Sequence, residues 1–374
     1  MGNFFWGAAT SAHQVEGGNH NDWSEFEKTR GLEQSGRACD HYNRFREDFD
    51  IAKSLGHNAH RFSLEWSRIE PEEGKFDERE IQHYRDVIAT LRERGLEPFV
   101  TLWHWTVPLW FRDCGGWTLK ESPKYFSRYV EKVVSALGDP TSNGEVGSPL
   151  VKFWITLNET NVYTGHGYWK GDWPPGERSL VRYIVSNHHL SQAHIAAYKI
   201  IKSANPGSEI GIAHNMIYFT RVPARLKNYI YNHFFLHSIK KYQDFTGINY
   251  YFSDRDMKEK TDMGWSIDPD GFYHVLKDAA RYKKPIYVTE NGIADTKDEK
   301  RAAFIKDHVE AMQKAMREGT DVRGYFYWSL LDNFEWDKGF APRFGLVEMD
   351  YETLERKVRP SAKEYQKIIE NQSL

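Results

Sequence analysis

The chain has 374 residues, 40% of them hydrophobic, which is enough to bury a large core. Its formal net charge is −3 with acidic and basic residues interspersed, which argues against a partner that is a nucleic acid or an anionic membrane. The sequence has neither a basic, apolar leader nor a run of about 18 apolar residues, so we expect a cytoplasmic protein with no membrane partner. Its two cysteines, Cys39 and Cys114, lack CxxC spacing and predict neither a disulfide framework nor a zinc site.

Strand-like and helix-like segments alternate along the chain almost without a break. The predicted strands cover residues 4–10, 59–66, 98–105, 151–159, 210–214, 245–251, 286–290 and 324–331. The predicted helices cover residues 44–55, 77–94, 123–137, 180–204, 223–241, 271–282, 298–317 and 360–370. This alternation predicts an α/β protein, a single (β/α)8 TIM barrel in which residues 1–374 form one domain. Residues 138–148 interrupt the pattern and are predicted to be an exposed loop.

Two glutamates stand where a predicted core strand gives way to a turn. Glu290 follows the β-prone residues 286–289 and precedes Asn291, which with the next glycine can form a turn with positive φ. Glu159 ends a segment of the same kind, residues 151–159. Because all strands of a barrel end on one face, we expect both carboxyl groups at the same mouth. They predict an active site, and the alternative is a pair of structural ion pairs at the barrel rim.

Aromatic residues are abundant, at 15% of the chain with 13 tryptophans. Flat aromatic faces suit the apolar faces of sugar rings. Packing in a large core explains most of them equally well, so composition alone leaves both interpretations open.

Seven motifs, in order along the chain, resemble glycoside hydrolase family 1, the β-glucosidase/β-galactosidase family. They are FFWGAATSAHQVEG (residues 4–17), RFSLEWSRI (61–69), TLWHW (101–105), TLNE (156–159), DFTGINYY (244–251), YVTENG (287–292) and YWSLLDNFEW (327–336). The motifs run nearly end to end, and their joint occurrence is specific for the family. The resemblance implies a TIM barrel that cleaves β-linked glycosides with retention of configuration, without a metal or another cofactor.

The resemblance assigns a role to each carboxyl group. Glu290 corresponds to the nucleophile and Glu159 to the acid/base of a two-step mechanism. Arg61 and Tyr251 would serve the nucleophile, and Asn249 would belong to the same catalytic group. A nucleophile must stay ionised, which a neighbouring cation and hydroxyl donors favour, whereas the acid must keep its proton beside a negative charge.

The resemblance also implies a set of sugar-binding side chains. Gln14 and His104 would bind the 3- and 4-hydroxyls, Asn158 the 2-hydroxyl and Glu335 the 4- and 6-hydroxyls. The aromatic side chains of the implied substrate site are Trp105, Trp328, Trp336 and Phe344, with Trp328 under the sugar ring. A carboxylate at position 335 would repel a 6-phosphate, so the resemblance favours unphosphorylated glycosides as the small-molecule partner.

The sequence departs from the family pattern at three places. Thr160 follows the acid/base, where the family normally has a proline that would stiffen the backbone. The chain is also several tens of residues shorter than is usual for the family, and most of the difference lies between Asn215 and Asp244. The region after Tyr251 is shortened as well. We therefore expect shortened loops and a more open mouth on the aglycone side.

Two hypotheses on function remain. The first is a retaining β-glycosidase that removes terminal non-reducing β-D-glucosyl, galactosyl or fucosyl residues. The second is a reduced barrel that binds a carbohydrate or a hydrophobic ligand and has weak or lost catalysis, for which the shortened loops are the argument. His233 and His237, four residues apart on a predicted helix, could approach a metal, but no third ligand is evident and a packing or surface role is expected.

Overall fold

The computed structural model describes residues 4–138 and 151–372, with the backbone alone at residue 372. Eight parallel strands form a closed barrel in chain order, and β1 pairs with both β2 and β8. The barrel strands are β1 (Phe5–Ala9), β2 (Ala59–Ser63), β3 (Glu97–Trp103), β4 (Phe153–Asn158), β5 (Glu209–Asn215), β6 (Thr246–Tyr250), β7 (Ile286–Asn291) and β8 (Val322–Trp328). The predicted (β/α)8 TIM barrel is confirmed, and all eight predicted strands are present. The predicted loop, apart from Gly138, lies outside the described residues.

Helices connect the strands and cover the outside of the barrel. They are α1 (Ala12–Val15), α2 (Asp22–Arg30), α3 (His41–Ser54), α4 (Trp66–Ile69), α5 (Glu78–Glu93), α6 (Leu109–Asp113), α7 (Ser122–Leu137), α8 (Thr160–Thr164), α9 (Leu180–Ala204), α10 (Ala224–Asn228), α11 (Phe234–Ile239), α12 (Pro269–Ala279), α13 (Arg301–Arg317) and α14 (Pro360–Gln372). Side-chain caps determine where three of these helices begin. Asp77, Ser179 and Asp268 accept a backbone N–H from the first turn of α5, α9 and α12, respectively.

The interior of the barrel is filled by aromatic rings that alternate with glycines. Phe99 and Phe153 stack with ring centroids 4.2 Å apart, and Tyr287 meets Phe99 edge-on at 5.2 Å. Glycine is required beside them: a Cβ at Gly7 would lie 2.2 Å from the carbonyl oxygen of Ala59. The large rings thus occupy the part of the barrel nearer the amino ends of the strands and leave the carboxyl ends for polar side chains.

Some boundaries differ from the prediction. β2 ends at Ser63 because Trp66 begins a separate short helix, α4, whose first turn is capped by Glu65. β8 ends at Trp328, three residues before the predicted end. The predicted helix over residues 223–241 is divided into α10 and α11 by a π-helical turn, Tyr229–His233. A small antiparallel pair, β9 (Val347–Met349) and β10 (Arg356–Val358), was not predicted, because strands of three residues are too short for alternation to be detected.

The predicted role of the paired histidines in packing agrees with their positions. His233 is buried between the hydroxyl of Tyr282, at 2.8 Å, and the carboxylate of Asp278, at 2.6 Å, while His237 is exposed. Residues 4–138 and 151–372 contain no group of three or more His, Cys, Asp or Glu side chains that could hold a metal ion. None of the helices in these residues is long and apolar enough to span a membrane.

Candidate active site

The carboxyl ends of the barrel strands surround a cavity of about 390 Å³. Most of the predicted site residues line it: Gln14, His104, Trp105, Glu159, Tyr251, Glu290, Trp328, Glu335, Trp336 and Phe344. The remaining three, Arg61, Asn158 and Asn249, are buried next to this lining, each at most 1% exposed. The structure therefore brings all the predicted site residues to one place.

Glu290, near the end of β7, is held by two donors on its two oxygens. Arg61 donates from Nη1 to Oε1 at 2.5 Å, and the Tyr251 hydroxyl donates to Oε2 at 2.6 Å. Burial, followed by the negative charge of Glu290, raises the pKa of Tyr251 well above its usual value, so the hydroxyl stays a donor. A guanidinium and a hydroxyl donor together favour the ionised form of a carboxyl group.

Glu159 directly follows β4, with a left-handed backbone conformation (φ 43°). Its Oε1 accepts from Nδ2 of Asn249 at 2.8 Å and from Nδ2 of Asn215 at 3.1 Å. Burial, and then the negative charge of Glu290, raise the pKa of Glu159 to about 8, against the lowering effect of the two amides. At neutral pH the Glu159 carboxyl group therefore carries a proton.

A chain of polar contacts connects the two carboxyl groups. Arg61, which binds Glu290, also donates from Nη2 to Oδ1 of Asn158 at 2.7 Å. The same Oδ1 accepts from Nδ2 of Asn249 at 3.3 Å, and this Nδ2 also bonds Glu159. The Asn249 side chain is fixed from its other end, because its Oδ1 accepts the Thr289 hydroxyl at 2.6 Å. The side chains between the carboxyl groups are thus oriented before any ligand binds.

His104 lines the cavity with its ring held by Asn158. Nδ2 of Asn158 lies 3.2 Å from its Nε2, and since Oδ1 of Asn158 accepts from Arg61, Nδ2 must donate to the ring. Burial, and then the charge of Arg61, lower the pKa of His104 well below its usual value. The neutral ring therefore carries its proton on Nδ1, a buried atom that has no hydrogen-bond partner among the residues the structure describes.

Gln14 and Glu335 form a second polar group in the lining of the cavity. Nε2 of Gln14 donates to Oε2 of Glu335 at 3.3 Å and to the carbonyl oxygen of Phe334 at 2.9 Å. Asn333 donates to the same carboxyl oxygen at 3.1 Å. Burial raises the pKa of Glu335 to about 8, so this carboxyl group is also protonated at neutral pH.

Three tryptophans form the aromatic walls. The ring of His104 lies nearly parallel to those of Trp328 and Trp336, with centroids 6.0 and 6.1 Å away. Trp336 and Trp105 have positive φ angles of 52° and 76°, which bulky residues rarely adopt. Such strain persists where packing imposes it, and the two rings pack against each other at 4.7 Å.

The cavity also contains residues that the sequence analysis did not place there. Asn215 and Tyr231 lie beside Glu159, and Trp173 and His166 stack at 4.0 Å near the rim. Asn215 could have been found, because it is the last residue of β5, the same strand-end position that marked Glu159 and Glu290. The prediction ended that strand at His214. Nothing in the local sequence signals Tyr231, which reaches the cavity from the π-helical turn.

A (β/α)8 barrel with two carboxyl groups in one polar and aromatic cavity, one ion-paired and one protonated, has the site of a glycoside hydrolase. The chain belongs to glycosyl hydrolase family 1, which its sequence matches over residues 1–230 and 249–374. The resemblance predicted from the motifs is confirmed. The chain is therefore a hydrolase that acts on O-glycosyl bonds.

Relatives resemble the chain over almost its whole length. A β-glucosidase A of Thermotoga maritima is 33% identical, with 99% of this chain and 98% of the relative covered. A 1,4-β-D-glucan glucohydrolase of Thermotoga neapolitana is 32% identical, with the same coverage. The first alignment is 446 positions long although this chain has 374 residues, so that relative carries segments that are missing here.

Solved structures agree with these relatives. A β-glycosidase from Pyrococcus horikoshii has a TM-score of 0.91 and 39% identity, with 98% of this chain and 93% of that one covered. A β-glucosidase from Thermotoga maritima in complex with deoxynojirimycin has a TM-score of 0.91 and 32% identity, with 100% and 99% covered. The chain thus keeps the complete barrel of its relatives with fewer residues.

Proposed function

We propose that the chain is a retaining β-glycosidase that removes a terminal non-reducing β-D-glucosyl residue from small unphosphorylated glycosides, and also accepts galactosyl and fucosyl residues. The substrate class follows the relatives, which are named as β-glucosidases and a glucan glucohydrolase. In this proposal residues 1–374 form one catalytic domain. A contact between the chain ends supports it, since the Tyr365 hydroxyl in α14 donates to the carbonyl oxygen of Gly7 in β1 at 3.0 Å. The cytoplasmic location stays a prediction.

The observation that carries this proposal is the difference in surroundings between the two buried carboxyl groups. Glu290 is bound by the Arg61 guanidinium, and burial holds a proton on Glu159 at neutral pH. A ligand-binding site has no need of one ionised and one protonated carboxyl group side by side, whereas double displacement requires both.

In the first step the Glu290 carboxylate attacks the anomeric carbon. The bond between that carbon and the glycosidic oxygen breaks as Glu159 transfers its proton to the leaving oxygen. A glycosyl ester of Glu290 forms, and the protonated aglycone departs. In the second step ionised Glu159 takes a proton from water, whose oxygen attacks the anomeric carbon and releases Glu290. Two inversions leave the product with the original β configuration.

The remaining side chains would bind the sugar. The imidazole of His104 and the amide of Gln14, which both line the cavity, suit the 3- and 4-hydroxyls, and Asn158, which lies between the two carboxyl groups, suits the 2-hydroxyl. A hydrogen bond to the 2-hydroxyl can strengthen in the transition state and so contribute to the rate. Trp328 supplies an aromatic face for the ring.

Glu335 bears on the expected exclusion of sugar phosphates. Because burial keeps its carboxyl group protonated at neutral pH, charge repulsion of a 6-phosphate is complete only above about pH 8. Below that pH, Glu335 is uncharged and does not repel a phosphate. Its hydrogen-bond partners, Asn333 and Gln14, are neutral and cannot balance the charge of a 6-phosphate, which disfavours binding of a phosphorylated sugar.

The pH dependence of hydrolysis tests the proposed function. Turnover needs Glu290 ionised and Glu159 protonated, so kcat/KM for p-nitrophenyl β-D-glucoside should fall on both sides of an optimum between about pH 4 and about pH 9. Since the folded-state pKa of Glu159 is raised to about 8, the loss on the alkaline side should begin near that value. Proton NMR of the first product should show the β-anomer before it mutarotates.

Rates on the glucoside, galactoside and fucoside should be compared with those of Glu290→Gln, which should be inactive at every pH. An α-anomer as the first product would rule out retention. Absence of turnover on all three sugars, together with thermal protection of the protein by glucose, would support the binding barrel instead.

Glu335→Ala should change the preference between sugars. Galactosides carry the 6-hydroxyl to which Glu335 would bond, and fucosides lack it. The ratio of kcat/KM for the galactoside to kcat/KM for the fucoside should therefore fall about tenfold, which is the contribution of one hydrogen bond to an acidic group. The control is Glu348→Ala, an exposed glutamate in β9. An unchanged ratio would remove Glu335 from recognition of the 6-hydroxyl.

A specific observation favours the second candidate, a barrel that binds a hydrophobic ligand. Among the described residues, the large apolar side chains that are exposed lie in the two connections that follow β4 and β5: Trp169, Leu180, Val181, Ile184, Val222, Leu226, Tyr229, Ile230 and Phe234. Such a surface can bind an apolar ligand with or without catalysis. The kinetic test above separates the two candidates.

A further inference from the structure

In residues 4–138 and 151–372, the side-chain donors to the acid Glu159 all bond the same carboxyl oxygen. Both amide donors, from Asn249 and Asn215, bond Oε1. An oxygen that already accepts two N–H groups is a poor place for a proton, because the proton would face these donors. The proton of the buried Glu159 carboxyl group therefore belongs on Oε2.

The Asn215 amide is itself fixed by a hydrogen bond from Tyr231. The hydroxyl of Tyr231 donates to Oδ1 of Asn215 at 2.9 Å, while Nδ2 of the same side chain donates to Glu159. Burial, and then the negative charge of Glu159, raise the pKa of Tyr231 far above its usual value, so its hydroxyl keeps its proton over the working pH range. The hydroxyl thus keeps the N–H side of the Asn215 amide toward the acid.

The backbone around Glu159 depends on the same two residues. Glu159 has a positive φ of 43°, which a residue with a side chain keeps only where its surroundings hold it. Asn161, one residue further, donates from Nδ2 to the carbonyl oxygens of Asn215, at 2.9 Å, and of Tyr231, at 3.3 Å. The first turn of α8 is therefore tied to the pair that orients the acid.

Tyr231 lies just outside the segments that match the family model. The match to glycosyl hydrolase family 1 is interrupted between residues 231 and 248. Tyr231 lies in the π-helical turn between α10 and α11, and single π-helical turns inside helices occur frequently at functional sites. The turn directs Tyr231 to the cavity, while its neighbours Tyr229 and Ile230 are exposed.

We propose that Tyr231 and Asn215 are positioning residues for the acid: the Tyr231 hydroxyl fixes the Asn215 amide, and this amide fixes Oε1 of Glu159 so that Oε2 delivers the proton. The inference rests on the proposed function. When the bond to the anomeric carbon breaks, the Oε2–H bond breaks with it, the proton passes to the leaving oxygen, and its electron pair stays on the Glu159 carboxylate.

The test is Tyr231→Phe, assayed with phenyl, p-nitrophenyl and 2,4-dinitrophenyl β-D-glucosides. A poor leaving group needs the proton and a good one does not, so kcat/KM should fall about tenfold or more for the phenyl glucoside and remain nearly unchanged for the dinitrophenyl glucoside. Since the Asn215 amide lowers the pKa of Glu159, loss of its orientation should also move the alkaline side of the pH profile to higher pH. Tyr273→Phe, which removes a tyrosine hydroxyl that bonds Glu318 outside the cavity, is the control and should change neither quantity.

Two further variants keep the outcome clear. Asn215→Ala should reproduce the dependence on the leaving group, and a Tm measured for each variant identifies a general loss of fold. An equal loss on all three glucosides, or no loss, in both Tyr231→Phe and Asn215→Ala would overturn the positioning role. Glu159→Gln should show the steepest dependence on the leaving group, and if it shows none, the proposed function itself fails, independently of Tyr231.

Discussion

Glu290→Ala should abolish hydrolysis, with a loss in kcat on the order of 10⁴-fold to 10⁶-fold, the size seen when a catalytic nucleophile is removed. The alanine leaves no carboxylate to attack the anomeric carbon, while Arg61 and Tyr251, which now bond Glu290, remain in place. Initial rates with 2,4-dinitrophenyl β-D-glucoside measure the loss, because this substrate depends least on the acid. Glu93→Ala, an exposed glutamate near the end of α5, is the control for loss of any carboxylate.

Azide should restore turnover in Glu290→Ala, because a small anion can enter the space of the lost carboxylate beside Arg61. It would attack from the side that Glu290 occupied, and a single displacement would give an α-glycosyl azide, detectable by NMR. A β-glycosyl azide would place the nucleophile on the other face of the sugar. Retention of most of the activity without azide would remove Glu290 from the nucleophile's role.

Most of the barrel could be predicted because its signals are local. Segments rich in β-branched and aromatic residues such as 286–289 form strands in any parallel sheet, and caps such as Asp77 and Asp268 mark where helices begin. The division between α10 and α11 could not be predicted, because a π-helical turn and an α-helical turn have the same hydrophobic pattern. The β9–β10 pair has strands of three residues, too short for alternation to be detected.

In the site, the sequence could predict which residues meet but not how they are held. The strand-end positions of Glu159 and Glu290 place both at the mouth of any barrel. The protonation of Glu335 could not be foreseen, since it results from burial by residues distant in sequence. For the same reason the contact of Tyr231 with Asn215, sixteen positions apart, required the coordinates.

Arg61→Met should cost both stability and activity. The guanidinium is buried and bonds Glu290, Asn158, Thr101 and the carbonyl oxygen of Thr289. Removal of one partner of a buried ion pair leaves the other charge uncompensated, which lowers the free energy of unfolding by about 3 to 5 kcal/mol. With Glu290 no longer held in place, kcat/KM should fall about 100-fold or more. Urea unfolding and initial rates on p-nitrophenyl β-D-glucoside measure the two effects.

A double-mutant cycle separates the ion pair from the other bonds of Arg61. In a Glu290→Gln background, Arg61→Met leaves no buried carboxylate without its partner. It should therefore destabilise the protein much less than it does with Glu290 present. The difference between the two costs is the coupling between the partners. Equal costs in both backgrounds would mean that Arg61 stabilises the fold through Asn158, Thr101 and Thr289 alone. In that case its pairing with Glu290 would serve catalysis without contributing to stability.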